Sequence, residues 1–503
     1  MGRNIGRRAG ILLSMSSLTA QTGAGALGKR AYEFVDFLVD AGQSFWQILP
    51  INPVGYTLSP YQSHSAFAGN PVFIDRAAVS RDPERYAPKG RAYEKFIEEN
   101  KSWLEDYALF EAVRASFNGK PLDLWPDEIR NPAEKTLSAL REKYRTEIDA
   151  CKHEQYCFFS QWRDLKSYAN LKGIGIIGDL PIYVFDDSAD FWRRRNIFEI
   201  DKDGRPASSA GVPPSRDGFS KSGQVWNNPV YAWDKHGKAV NAFWRERLAQ
   251  AARLYDGVRI DHFRAFADFY AIPIVTKVTK GDGLFLSHET KGETKGETKG
   301  DGPSVRIAAA TAKEPDVLSA AMGEWRPGPG KPFIDMIRRE HPGLLIIAED
   351  LGELSDAAKN LVIESGFPGM SILQFAFSGD PENPYLPHNI QEHSVAFTGT
   401  HDNDTLVGWC DSASRKQRRC AMEYFGLSDP EDLPGAILAA VLASKADTAI
   451  IPLQDWLGLG AEARMNKPAT VGGINWKWQV PKGALTRRLS SRILHMTKEL
   501  YSR

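Results

Sequence analysis

Val258-Arg259-Ile260-Asp261-His262-Phe263, Ile346-Ile347-Ala348-Glu349-Asp350-Leu351-Gly352 and Phe397-Thr398-Gly399-Thr400-His401-Asp402-Asn403-Asp404 share one pattern. Each is an apolar run of strand length that stops abruptly at a carboxylate flanked by other polar groups. A parallel barrel delivers reactive side chains in this way, from the C-terminal ends of its strands. Converging carboxylates point to an enzyme. Cleavage at an acetal carbon uses such a set: one anionic nucleophile, one protonated acid and further groups that hold a sugar.

Working outward, apolar runs bounded by Gly, Pro or polar residues mark eight candidate buried strands: 10–13, 44–50, 174–184, 257–263, 344–352, 370–377, 394–402 and 448–453. Helical patterns lie between them, for example 31–38, 243–248 and 333–337. Strand and helix alternating eight times predict an α/β fold, a (β/α)8 TIM-type barrel. We expect residues 1–503 to form one elaborated catalytic domain. Residues 70–150 read as an inserted helical subdomain on the barrel's C-terminal face, with amphipathic stretches at 103–117 and 132–148. Residues 185–235, rich in Gly, Pro, Ser and aromatics, read as inserted cleft-forming loops. Residues 278–303 carry a tandem Glu-Thr-Lys-Gly unit with almost nothing apolar to bury, and are expected to be a low-complexity surface insert that the barrel does not need.

Lysine plus arginine (63) balance aspartate plus glutamate (63), so no long-range field favours nucleic acid or an anionic membrane, and a neutral substrate is expected. Thirteen tryptophans and sixteen tyrosines suit stacking on sugar faces as well as core packing. The four cysteines, Cys151, Cys157, Cys410 and Cys420, show no metal-ligand spacing, which predicts a reduced, metal-free, cytoplasmic protein. Arg7 to Leu13 looks superficially like the start of a signal peptide. Its apolar stretch is short and dissolves into Ser14-Met15-Ser16-Ser17, so a first core strand is the expectation. No run of about 18 apolar residues exists, so no membrane span is predicted.

Several motifs carry a specific resemblance. Gly10 to Leu13, Ala41 to Pro50, Ser59-Pro60-Tyr61-Gln62-Ser63, Ser65 to Pro71, Gly399 to Thr405, Gly460 to Asn466 and Val471 to Trp478 occur in this order. Together they resemble the amylomaltase (4-α-glucanotransferase, disproportionating enzyme) family of the α-amylase clan. The likeness runs from about residue 10 to 480, interrupted by the repeat insert.

The resemblance implies a retaining double displacement on α-1,4-glucans, with maltooligosaccharides as partners and no cofactor. Asp261 matches the nucleophile, Glu349 the general acid/base, and Asp402 the third carboxylate that grips sugar hydroxyls in the donor site. Tyr61, Asp179, Trp226, Arg259, His401 and Asn466 match substrate-binding or supporting positions. Strand alternation alone places Arg259 on the same side as Asp261, where it could keep that carboxylate ionised or simply form a structural ion pair. Asp350 stays open between a cap carboxylate and a substrate contact.

The sequence also departs from the family pattern. Thr57-Leu58 stands where Gly-Asp is usual before Ser-Pro-Tyr-Gln, Asn227-Asn228-Pro229 replaces Gly-Asn-Pro, Ala265 replaces a glycine, and the stretch 212–220 reads longer than its counterpart. These changes bear on acceptor preference and leave the three carboxylates untouched. Two rival readings remain: an α-amylase-type hydrolase, and a catalytically idle glucan-binding protein.

Overall fold

The computed structural model describes residues 7–18, 27–214, 223–274 and 320–503. The repeat insert and part of the 212–220 stretch lie outside these residues. In chain order the strands among the described residues are β1 (Arg8–Leu12), β2 (Phe45–Gln47), β3 (Gly175–Leu180), β4 (Ser208–Val212), β5 (Gln224–Pro229), β6 (Gly257–Ile260), β7 (Asp268–Pro273), β8 (Glu324–Pro327), β9 (Leu345–Ala348), β10 (Gly369–Ile372), β11 (Ser394–Phe397) and β12 (Thr448–Pro452).

Eight of them form one parallel sheet in the order β10-β11-β12-β1-β2-β3-β6-β9. These are the eight apolar runs marked in the sequence. Several runs overshoot their strand at the C-terminal end, because apolar residues continue into the loop. Leu373–Phe375, for instance, is a 3-10 turn that follows β10.

The outer strands of the sheet, β9 and β10, approach each other at a seam. Ala348 N–H donates to Pro368 O at 2.9 Å, and Met370 N–H donates to Asp350 Oδ1 at 2.8 Å. A Cβ on Gly369 would lie 2.3 Å from Asp350 Oδ2, so glycine makes room for this carboxylate. Asp350 therefore fastens the barrel seam. Burial raises its pKa to about 6.

Alternation along the strands sorts side chains between two buried layers. Phe45, Ile177, Ile347, Ile372, Phe397 and Ile450 belong to the barrel interior. Their neighbours Trp46, Ile176, Val258 and Ile346 belong to the larger cluster that packs beneath the helices. Each such burial is worth about 1.5–3 kcal/mol. The helix at Lys29–Asp40 shows the matching period, burying Ala31, Phe34, Val35 and Leu38.

Between β2 and β3 the chain runs through helices Arg76–Arg81, Gly90–Glu99, Leu104–Ser116, Asp127–Arg130, Glu134–Lys143 and Arg145–Leu171. Two features differ from the expected regular alternation. The connection from β10 to β11 has no α-helix; Pro381, Pro384 and Pro387 remove backbone donors and disfavour the helical conformation of the residues before them. The excursion after β3 is also more than loops. Strands β4 and β5 join β7 and β8 in an antiparallel sheet of order β5-β4-β7-β8. Strands β7 and β8, which flank the repeat insert, are direct neighbours, with Ala271 opposite Glu324.

Candidate active site

Register places the carboxylates. Asp179 on β3 pairs with Arg259 on β6, and Arg259 pairs with Ile347 on β9. Asp261 N–H donates to Leu180 O and Glu349 N–H to Ile260 O, each at 3.1 Å, so both ladders run one residue past the strands. Counting by twos, Asp179, Arg259, Asp261, Ile347 and Glu349 share the interior side.

Arg259 organises the group. Its Nη1 donates to both oxygens of Asp179, at 2.9 and 2.8 Å. Its Nη2 lies 2.9 Å from Asp261 Oδ1 and 3.9 Å from Glu349 Oε2. Burial works against the guanidinium's charge, but the surrounding carboxylates outweigh it and hold the group protonated. The Asp261 and Glu349 oxygens reach one nitrogen, so they are separated by no more than the sum of those two distances. That bound admits the roughly 5–5.5 Å spacing of retaining glycosidases and excludes most of the wider inverting range.

Side-chain exposure grades the carboxylates. Asp179 is 0% exposed, Glu349 11%, Asp261 27% and Asp402 39%. Both oxygens of Asp179 are occupied, by Arg259 and by the Tyr61 hydroxyl, which donates at 2.9 Å. The other three carboxylates open on the cleft.

Glu349 accepts from His262 N–H at 2.7 Å and from Leu351 N–H at 2.8 Å. The first bond requires His262 to adopt a left-handed backbone, φ 47°, at the turn that follows Asp261. Burial pushes the Glu349 carboxyl up to about 7, opposed by Arg259 and reinforced by Asp261. The His262 imidazole is driven the other way, to about 4, mainly by burial, and stays neutral at physiological pH.

A second loop, past the end of β11, faces this group. Asp402 Oδ1 accepts from Asn466 Nδ2 at 2.6 Å, and His401 Nε2 lies 3.5 Å from Asp402 Oδ2. Tyr61 stacks on His401 with ring centroids 5.2 Å apart, and Trp476 leans on both rings at 5.9 Å. On the opposite side the half-buried Trp226, carried by β5, meets the His262 ring edge-on at 4.9 Å. A small pocket lies behind the loop, lined in part by Thr400, His401, Asp404 and Arg464. The arrangement offers a partly exposed carboxylate paired with arginine, a buried acid titrating near neutrality, and aromatic faces for neutral rings.

The chain matches the family model described as 4-alpha-glucanotransferase over residues 13–87 and 76–486. It is 36% identical to the 4-alpha-glucanotransferase of Clostridium butyricum, over 98% of this chain and 100% of that one. It is also 36% identical to that of Thermus thermophilus, over 98% of each. The chain belongs to the 4-alpha-glucanotransferase family. Among solved structures, an amylomaltase from Streptococcus agalactiae in complex with acarbose superposes with a TM-score of 0.84, at 33% identity and over 99% of both chains. As a member of this family the chain is an enzyme, a transferase acting on alpha-glucans.

The structure brings together every residue singled out from the sequence: Tyr61, Asp179, Trp226, Arg259, Asp261, Glu349, His401, Asp402 and Asn466. Trp476, the His262 backbone and Arg464 were not singled out. All three lie inside quoted segments, but Trp476 reads as core from sequence, His262 acts through its backbone N–H, and the Arg464 guanidinium bonds to main-chain carbonyls, which leave no residue-type signal. The departures from the family pattern also find an account. Asn227, where glycine is usual, takes φ 58°, a left-handed conformation that asparagine tolerates. Leu58 takes φ 61° with its side chain 42% exposed, a conformation that suits aspartate better than leucine.

Proposed function

We propose that this glucanotransferase moves a maltooligosyl unit from one α-1,4-glucan to the 4-hydroxyl of glucose or another glucan, by retaining double displacement. Asp261 attacks the anomeric carbon while Glu349 gives its proton to the departing glycosidic oxygen, and the glycosyl unit becomes covalently bound to Asp261. In the second step Glu349 takes the proton of the acceptor hydroxyl, whose oxygen displaces Asp261. Asp402, set by Asn466 and His401, grips hydroxyls of the donor-site sugar. Asp179 supports Arg259, while Tyr61 and Trp226 line the cleft.

The observation that carries this reading is the sharing of Arg259 Nη2 by two unlike carboxylates. One is open and charge-paired; the other is buried with a pKa near 7. Two carboxylates in such unlike surroundings, one buried and raised and one open beside a guanidinium, suit acid and nucleophile roles.

We also read the helical segment 70–150 and the excursion 185–235 as walls of the cleft, since the latter delivers Trp226. A cytoplasmic setting is supported by four cysteines that are all unpaired. No helix among the described residues is long and apolar enough to cross a membrane.

Maltotriose distinguishes transfer from hydrolysis. Glucose together with a ladder of longer maltooligosaccharides is expected by chromatography; glucose and maltose alone would make the enzyme a hydrolase. The pH profile tests Glu349 separately. Its protonated form is needed for the first step, so kcat/KM should fall about tenfold per pH unit above pH 7. A flat profile from pH 6 to 9 would remove Glu349 from the acid role.

A further inference from the structure

Asp402 lies on a loop, beyond the regular hydrogen bonding of β11, and must nevertheless present its carboxylate in one pose. The ends of the loop are tied by Asp455, which accepts from the Thr398 hydroxyl and from Leu406 N–H at 2.7 Å. Within the loop, Asn403 Oδ1 accepts from the Thr400 N–H and hydroxyl, each at 2.9 Å, and Gln374 Nε2 donates to Asp404 O at 2.9 Å, but none of these bonds reaches the Asp402 carboxylate. Behind the loop lies a small gap that Arg464 also lines.

Arg464 reaches into that gap. Its Nη2 donates to Asp402 O at 2.7 Å and its Nε to Asn466 O at 2.6 Å, so neighbouring nitrogens of the planar guanidinium bridge two main-chain carbonyls. Nη1 lies 3.5 Å from Asp404 Oδ2. Asn466 N–H returns a bond to His401 O at 3.0 Å, and Asn466 Nδ2 holds the Asp402 carboxylate itself. We propose that Arg464 is a positioning residue: by clamping segment 464–466 to the backbone of 401–404, it sets the pose of the Asp402 carboxylate. The inference rests on the reading of Asp402 as the carboxylate that grips the donor sugar.

A lysine keeps the charge beside Asp404 but has no rigid fork with which to span both carbonyls. The clamp therefore predicts that charge alone does not restore function. A misplacement on the order of 1 Å at such a site costs about a hundredfold in rate.

The test compares Arg464→Met, Arg464→Lys, Asp402→Asn and the double variant Arg464→Met/Asp402→Asn in maltotriose transfer, with circular dichroism and thermal unfolding to normalise for folded protein. Arg464→Met is expected to lower kcat about a hundredfold with KM changed far less, Arg464→Lys to recover only a small part, and the double variant to be no worse than Asp402→Asn alone. If Arg464→Met does not fold, Arg464→Lys and its double with Asp402→Asn carry the same comparison. Full rescue by lysine, or losses that multiply in the double variant while Asp402→Asn is itself impaired, would overturn the clamp alone. Near-parental kcat in Asp402→Asn would overturn the reading of Asp402 and the inference with it.

Discussion

Asp261→Asn is expected to lower kcat/KM for maltotriose by on the order of 10⁵-fold while leaving the thermal midpoint nearly unchanged. The two halves of this expectation have separate causes. On the proposed mechanism, losing the carboxylate removes the nucleophile that bonds to the anomeric carbon, and the remaining binding contacts cannot replace that step. Stability survives because Arg259 keeps both bonds to the buried Asp179, and an asparagine oxygen can still accept from Nη2. Steady-state transfer assays and thermal unfolding on the same preparation check both halves. Near-parental turnover would contradict the nucleophile assignment; a collapsed midpoint would mean that Asp261 is chiefly structural.

Asp179→Ala should behave in the opposite sense, losing both stability and activity. The side chain is fully buried, and its removal takes both bonds from Nη1 of a buried guanidinium and the partner of the Tyr61 hydroxyl together. Breaking a buried ion pair from one side typically costs about 3–5 kcal/mol. Denaturant unfolding should register that loss, and transfer should fall with it because Arg259 no longer holds Asp261 and Glu349 in register. Replacing both partners, as Asp179→Leu with Arg259→Met, should return much of the stability and none of the activity. An unchanged unfolding midpoint in Asp179→Ala would show that the pair contributes far less than its burial implies.

How legible the molecule is from its sequence depends on the kind of signal each part leaves. The barrel strands are readable because both of their faces are buried, one against the barrel interior and one against helices, so each is a continuous apolar run. The second sheet is much harder to read. Strand β8, Glu324-Trp325-Arg326-Pro327, is largely exposed, and β5, Gln224 to Pro229, is polar at half of its positions. Neither gives an apolar run or a clean alternation.

The same contrast runs through the site. Asp261 and Glu349 stand at the ends of apolar runs, where an abrupt carboxylate is conspicuous, while Asp402, five residues past β11, is legible through the motif Gly399 to Thr405. Asp350 sits beside Glu349 in the sequence yet serves the barrel seam, a distinction that only the register of β9 against β10 makes. The left-handed turn at His262, which aims a backbone N–H at Glu349, has no counterpart in residue type, since nothing in the side chain announces it. Arg464 is silent for the same reason, as its strongest partners are carbonyls.

The proposed reaction turns on a glycosyl unit bonded to Asp261. It is tested most directly by mixing the enzyme with a 5-fluoro-α-glucosyl fluoride, quenching in acid, digesting with pepsin and weighing the peptides. The fluorine slows breakdown of the intermediate so that it accumulates. A mass increase of one fluoroglucosyl unit is expected on the peptide containing Asp261, absent from the Asp261→Asn variant. Turnover of the reagent with no labelled peptide, or a label on a peptide carrying Asp402 or Glu349 instead, would contradict it.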